Sequence, residues 1–146
     1  MNTVTFRSVK KSFQAQSGVE LDTLTDLVHD RAVDLDALSF DEPARSLCLP
    51  LSVVDPEGEI LRRILGVKIW RHAVRPARLT LHNVLSYEVD DRAQIAAATI
   101  NELWYADGLL TITSGIPVTI RARVSDLRVT LELSEEVIKY QASLFP

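Results

Sequence analysis

Apolar and polar positions follow two different periods along this chain. At Ser17-Gly-Val-Glu20 a serine stands three positions before a glutamate, the capping-box pattern in which the two side chains satisfy orphan amides at a helix start. Leu21, Leu24, Leu27 and Val28 follow at helical spacing, which predicts one amphipathic helix over residues 18–31. Residues 1–16 read as a lead-in or a short strand carrying Val4 and Phe6.

Beyond the helix the period falls to two. Leu47, Leu49, Leu51 and Val53 alternate, as do Leu65, Val67 and Ile69, and then Leu79 and Leu81. The longest alternation is Ile116, Val118, Ile120, Ala122 and Val124, continued by Leu127, Val129, Leu131 and Leu133. Half-buried strands carry this pattern. Asp55-Pro56-Glu57-Gly58 suits a type I turn, and Asp107-Gly108 is a strong two-residue hairpin signal. Pro50 and Pro117 fall inside strand-like runs, which points to edges or bulges because proline cannot donate to a ladder. The reading is a single domain over 1–146, mainly β, with a β region at 33–133 and a C-terminal tail at 134–146. About eight antiparallel strands form a sandwich or partly closed barrel, with one N-terminal helix packed against it. An echo between 35–82 and 100–132, as in Arg78-Leu-Thr-Leu81 and Arg128-Val-Thr-Leu131, adds the expectation of a duplicated four-stranded unit.

Register follows from the turns. With Asp107-Gly108 as the loop, Ala106 pairs with Leu109, Tyr105 with Leu110, Trp104 with Thr111 and Leu103 with Ile112. Trp104 then shares the more polar face with Glu102, Thr111 and Thr113. The same reasoning at Ser125-Asp126 pairs Val124 with Leu127, Ala122 with Val129 and Ile120 with Leu131. That places Arg123 across from Arg128, and Arg121 across from Thr130. Like charges so placed repel, so a counter-charge should be near. Trp70 shares its side with Lys68 and His72, a mixed aromatic and cationic surface.

Sixteen Lys+Arg against twenty Asp+Glu give a net charge of −4, which disfavours nucleic acid as a partner. The mean hides a segregation. Residues 20–42 hold eight acids and one base, Arg31, whereas 60–87 hold six bases and no acid. The basic set is Arg62, Arg63, Lys68, Arg71, Arg75 and Arg78. It reads either as a face for an anionic partner or, the favoured expectation, as a surface that the acidic stretch packs against and neutralises. One cysteine, Cys48, excludes a disulfide within the chain. The lone thiol and a start without an apolar h-region point to the cytoplasm. No run is long and apolar enough for a transmembrane helix.

Catalytic constellations are sparse. His29-Asp30 resembles a metal-ligand pair but reads as a helix end, and neither a metal nor another cofactor is expected. Asp90-Asp91 with His82 and Tyr87 reads as a solvated turn rather than an acid–base site. Cys48 reads as a packed thiol. There is no Gly-x-Ser-x-Gly elbow, phosphate-binding glycine loop or His-Glu-x-x-His helix. The leading expectation is therefore a small non-enzymatic module that binds a protein or a second copy of itself. Its surface would be formed by Trp70, Trp104, Arg121, Arg123 and Arg128, since indoles and guanidinium groups make strong contact anchors. The alternatives are a small-ligand-binding barrel or enzyme with an internal pocket near Trp104, His82 or Tyr87, and an anion or lipid-surface binder using the basic stretch.

Overall fold

The computed structural model describes residues 8–91, 97–115 and 118–146, with the side chain of Ala97 left out. Val4, Phe6, Ile116 and Pro117 lie outside the described residues. The fold is mainly β, as the alternation requires. Two antiparallel sheets face each other, one helix lies against them, and the number of strands exceeds the eight expected. In chain order the elements are β1 (Val9–Ala15), α1 (Gly18–Val28), β2 (Ala32–Asp34), β3 (Ser39–Asp41), β4 (Ser46–Val54), β5 (Glu59–Ile64) and β6 (Val67–Leu81), followed by β7 (Val84–Asp91), β8 (Ala97–Ala106), β9 (Leu109–Ser114), β10 (Val118–Val124), β11 (Val129–Ser134) and β12 (Lys139–Ser143).

The helix starts as the capping box dictates. Glu20 donates its backbone amide to Ser17 Oγ at 3.3 Å, and Glu20 Oε1 accepts from the Gln16 amide at 3.1 Å. It ends three residues earlier than expected, at Val28, where the His29 amide donates to the Thr25 carbonyl and Asp30 turns left-handed with φ 63°. Leu21, Leu24 and Val28 are the buried stripe.

The first sheet runs β1-β11-β6-β4-β3, and the second runs β2-β8-β9-β10-β7. Their inner faces meet in one core that includes Leu47, Leu49, Leu79, Leu81, Leu103, Leu110, Leu131 and Leu133, each at most 2% exposed. These positions are those that the alternation selects. The Asp107-Gly108 hairpin has the expected register, Ala106 with Leu109 and Leu103 with Ile112. Pro50 lies on β4 beyond the end of the short edge strand β3, which pairs only with Ser46–Cys48. The missing amide therefore costs no ladder bond.

The Ser125-Asp126 hairpin does not form. β10 pairs with β7 and β9, whereas β11 pairs with β1 and β6 in the opposite sheet. The chain crosses the sandwich here instead of turning back. Both strands still send their even or odd apolar set into the same core, so alternation reads the same for a hairpin as for a crossing. Arg123 consequently pairs with Ser86 and Leu109, not Arg128. The stretches 35–82 and 100–132 also differ in topology. β3 to β6 all lie in the first sheet, while β8, β9 and β10 lie in the second and β11 returns to the first.

Candidate functional site

β6 organises the rest. Its C-terminal half, Val74–Leu81, is flanked by β4 on one side, and β11 pairs with Ala77–Leu81 on the other. Its N-terminal half is flanked by β5 at Val67–Arg71 and by β12 at Trp70–Val74. β5 therefore continues the line of β4, and β12 continues that of β11. Asp55-Pro56-Glu57-Gly58 interrupts one line without reversing the chain, and residues 135–138 interrupt the other. Residues 134–146, expected as a tail, thus contain a paired strand. The outcome is a three-stranded arm, β5-β6-β12, that leaves the sandwich as an extension of the first sheet.

A polar joint sits where the arm departs. Arg75, which faces the core side like Ala77 and Leu79, is only 7% exposed, and Asp55 only 1%. Arg75 Nε donates to Asp55 Oδ2 at 2.9 Å, and its Nη1 donates to the Glu135 carbonyl at 2.7 Å. One guanidinium therefore ties both interruptions together. Lys11 donates to Asp55 Oδ1 at 2.6 Å and lies 2.7 Å from Glu57 Oε2. The Glu57 amide donates to Asp55 Oδ1 at 2.9 Å. Burial would push the Asp55 carboxyl up, but its bonds to Lys11, the Glu57 amide and Arg75 outweigh that and hold it below its ordinary range. Burial likewise opposes the charged form of Lys11, and the carboxylates of Asp55 and Glu57 more than offset it, raising the amine. His72 Nδ1 donates to the Asp55 carbonyl at 2.9 Å. Gly58 lies so close to that imidazole that a Cβ would stand 2.6 Å from the His72 ring, so a side chain there would displace it.

Beyond the joint, every residue of β5 is exposed. Of the large apolar side chains exposed among the described residues, most fall on the arm or beside it: Ile60, Leu61, Ile64, Leu65, Val67 and Tyr140 on its strands and tip, with Val137, Ile138, Leu144 and Phe145 on the chain next to β12. The tip is Leu65-Gly66, with φ 51° and 80°, almost the geometry of Asp107-Gly108 at 51° and 77°. Both are the left-handed pair that a type I′ hairpin requires. Leu65 is 99% exposed. The expected strand through Leu65, Val67 and Ile69 is therefore corrected to a hairpin turn at its first position.

The basic stretch divides at the joint. Arg75 pairs with Asp55, Arg78 lies 3.3 Å from Glu132, and Arg71 pairs with Glu59 while resting over the Tyr140 ring at 4.1 Å. The remaining three, Arg62, Arg63 and Lys68, are exposed near the tip. The described ion pairs join the basic stretch to Asp55, Glu59 and Glu132, none of them from 20–42. The expected mutual neutralisation of the two stretches does not appear among the described ion pairs. Arg31, the base inside the acidic stretch, instead donates from Nε to the Ser52 carbonyl at 2.7 Å and ties β2 to β4.

The expected tryptophan–arginine cluster is split. Trp104, Arg121 and Arg123 share the outer face of the second sheet, where Trp104, Thr111, Arg121 and Glu88 stand in register across four strands. Arg121 lies 3.3 Å from Glu88, which supplies the expected counter-charge. Arg128 immediately precedes β11 of the other sheet and donates to Gln14 Oε1 at 3.3 Å. Trp70 is half-buried on the arm. Neither joins the other three.

A groove of about 380 Å³ opens between α1 and β8, lined by Gly18, Val19, Leu21, Asp22 and Glu102–Ala106. Val19 is 80% exposed and Trp104 49%, so its walls are apolar and its two carboxylates are Asp22 and Glu102.

No family pattern, curated protein or solved structure matches this chain.

The remaining candidates resolve into local roles. His29 Nδ1 donates to the Asn101 carbonyl at 2.9 Å, which engages that ring nitrogen in closing the helix. Among the described residues no group of three or more His, Cys, Asp or Glu could hold a metal ion. His82 shares a 2.9 Å hydrogen bond with Thr130 Oγ1, and burial together with the nearby Arg128 lowers its pKa. Asp90 and Asp91 are not a turn but the end of β7, opposite Thr119 and Val118. Tyr87 stacks on Phe40, their centroids 5.2 Å apart. Trp104, His82 and Tyr87 line no common groove among those described. Cys48 is half-buried, and burial raises its thiol pKa despite a hydrogen bond with Thr80. No helix among the described residues is long and apolar enough to cross a membrane.

Proposed function

We propose that this chain is a non-enzymatic interaction protein whose contact element is the β5-β6-β12 arm. The observation that carries the reading is Leu65. A bulky apolar side chain in a left-handed turn position costs about 1 kcal/mol or more, and here it is fully exposed at a tip, so no burial repays it. The other hairpin places the favoured aspartate at the equivalent position, Asp107. Departures from local folding rules concentrate at functional positions. Leu65 is flanked by Ile64 and Val67 and by the cations Arg62, Arg63 and Lys68, the mixture that anchors and steers an interface.

This reading moves the contact surface away from the tryptophan–arginine sheet face. A photo-activatable amino acid placed at Leu65, and separately at Arg123, distinguishes the two surfaces in living cells. Protein adducts at Leu65 support the arm. Adducts at Arg123 with none at Leu65 return the function to the sheet face. A second reading, contact with an anionic membrane surface, draws on the same three cations around an apolar tip. It predicts that the protein co-sediments with phosphatidylserine vesicles, that Leu65→Asn weakens this, and that neutral vesicles do not pull it down.

A further inference from the structure

We propose that the arm of one copy docks into the groove between α1 and β8 of a second copy. The inference rests on the arm being the contact element, and it commits that element to one occupant. The two surfaces are complementary in chemistry and are kept apart within one chain. Near the tip, Arg62, Arg63 and Lys68 have no ionic partner among the described residues, and Leu65 at 99% exposure touches almost nothing of its own chain. At the groove, Asp22 and Glu102 likewise have no ionic partner among the described residues. Val19, Trp104 and Tyr105 give it exposed apolar walls at 80%, 49% and 37%.

The arm has the reach. Its six β5 residues extend about 20 Å beyond the joint at the rise of an extended strand. Seated in the groove, Ile64, Leu65 and Val67 would cover Val19, Trp104 and Tyr105. Arg62 lies on the same face of the hairpin as Ile64 and Val67, and Arg63 and Lys68 lie on the other, so that cations on both sides of the tip would flank Asp22 and Glu102. The same contact made twice by two-fold related copies gives a closed pair in which each arm serves the other's groove. The charge segregation then has a use, since the tip cations of the basic stretch meet Asp22 of the acidic stretch, with Glu102 beside it, on the other copy.

Charge reversal tests the pairing. The doubly substituted R62E/R63E and D22K/E102K proteins are prepared separately, and their masses are measured by sedimentation velocity alone and in equimolar mixture. The wild type associates as concentration rises, and its association weakens as NaCl goes from about 0.05 to 0.5 M. Each variant alone loses association by about 100-fold or more, because like charges now face each other. The mixture regains it, because each arm again meets a groove of opposite sign. A wild type that stays monomeric at about 100 µM overturns the inference, as does a mixture that fails to associate. Circular dichroism of both variants establishes that they are folded. Should the wild type be monomeric while the Leu65 probe still captures a different protein in cells, the second-copy inference falls and the arm reading stands. No adduct at Leu65 removes both.

Discussion

The two halves of β6 belong to one strand, each half flanked by two partner strands, yet live in different surroundings. In the C-terminal half, Ala77, Leu79 and Leu81 meet the second sheet and are at most 2% exposed. In the N-terminal half, Val67 on the same side of the strand is 51% exposed, with no strand of the second sheet paired or packed over it among the described residues. Pairing runs along both halves, with one register shift between Ile60 and Arg62 on β5. The difference teaches that a ladder extends a sheet, whereas burial of its face needs a second layer. An apolar ribbon without that layer is a surface still to be covered.

The largest expected effect breaks the joint between the halves. Asp55→Ala leaves the Arg75 guanidinium buried without its carboxylate and should cost about 3–5 kcal/mol, read as a fall in the urea midpoint. Acid should act in the same place. Because Asp55 is held below its ordinary range, its contribution is present above the carboxylate range of the unfolded chain and fades as pH falls through the folded value. Lys11 is raised, so its share is complete below the ordinary lysine range and fades as pH rises through the folded value. Stability measured against pH should therefore decline below about pH 4, and Asp55→Ala should flatten that decline.

Next in size is the buried half itself. Leu79→Ala opens a cavity between the sheets and should cost about 2–5 kcal/mol, measurable by thermal or denaturant unfolding. The smallest effect, with opposite sign, belongs to the arm. Leu65→Asn puts a residue suited to the left-handed position into the tip and should stabilise the fold by up to about 1 kcal/mol. It should at the same time abolish association. A Leu65→Asn protein that is less stable than wild type would show that the side chain serves folding after all.

The fold was legible wherever alternation coincided with a favoured turn. The register of β8 and β9 follows from Asp107-Gly108, and the core list follows from parity. The crossing at Ser125-Asp126 was not legible, because Val124 and Leu127 face the same core whether the strands pair or face each other across it. The arm was hidden for a related reason. Its tip carries Leu65 where a hairpin signal needs Asn or Asp, so the residues read as more strand, and apolar alternation cannot say whether a second layer exists. Arg75 was grouped with the basic surface because charge alone does not report burial. The partner that revealed its role, Asp55, sat inside a motif read only as a turn. Of the candidate cluster, Trp104, Arg121 and Arg123 do share a face. Arg128 was added by the false hairpin, and Trp70 by the mixed aromatic and cationic face it shares with Lys68 and His72, which lies on the arm and not on the second sheet. The exposed groove at Asp22 and Glu102 brings together α1 and β8, about eighty positions apart in sequence, and only the tertiary packing discloses it.

Amide hydrogen exchange along β6, followed by mass spectrometry as a function of protein concentration, tests the central claim most directly. Val74–Leu81 should be protected to the level of global unfolding at every concentration. Val67–Arg71 and β5 should exchange faster in dilute solution and gain protection as the protein is concentrated. Protection that is uniform along β6 and independent of concentration would contradict an arm that stands apart from the sandwich and is completed by a second copy.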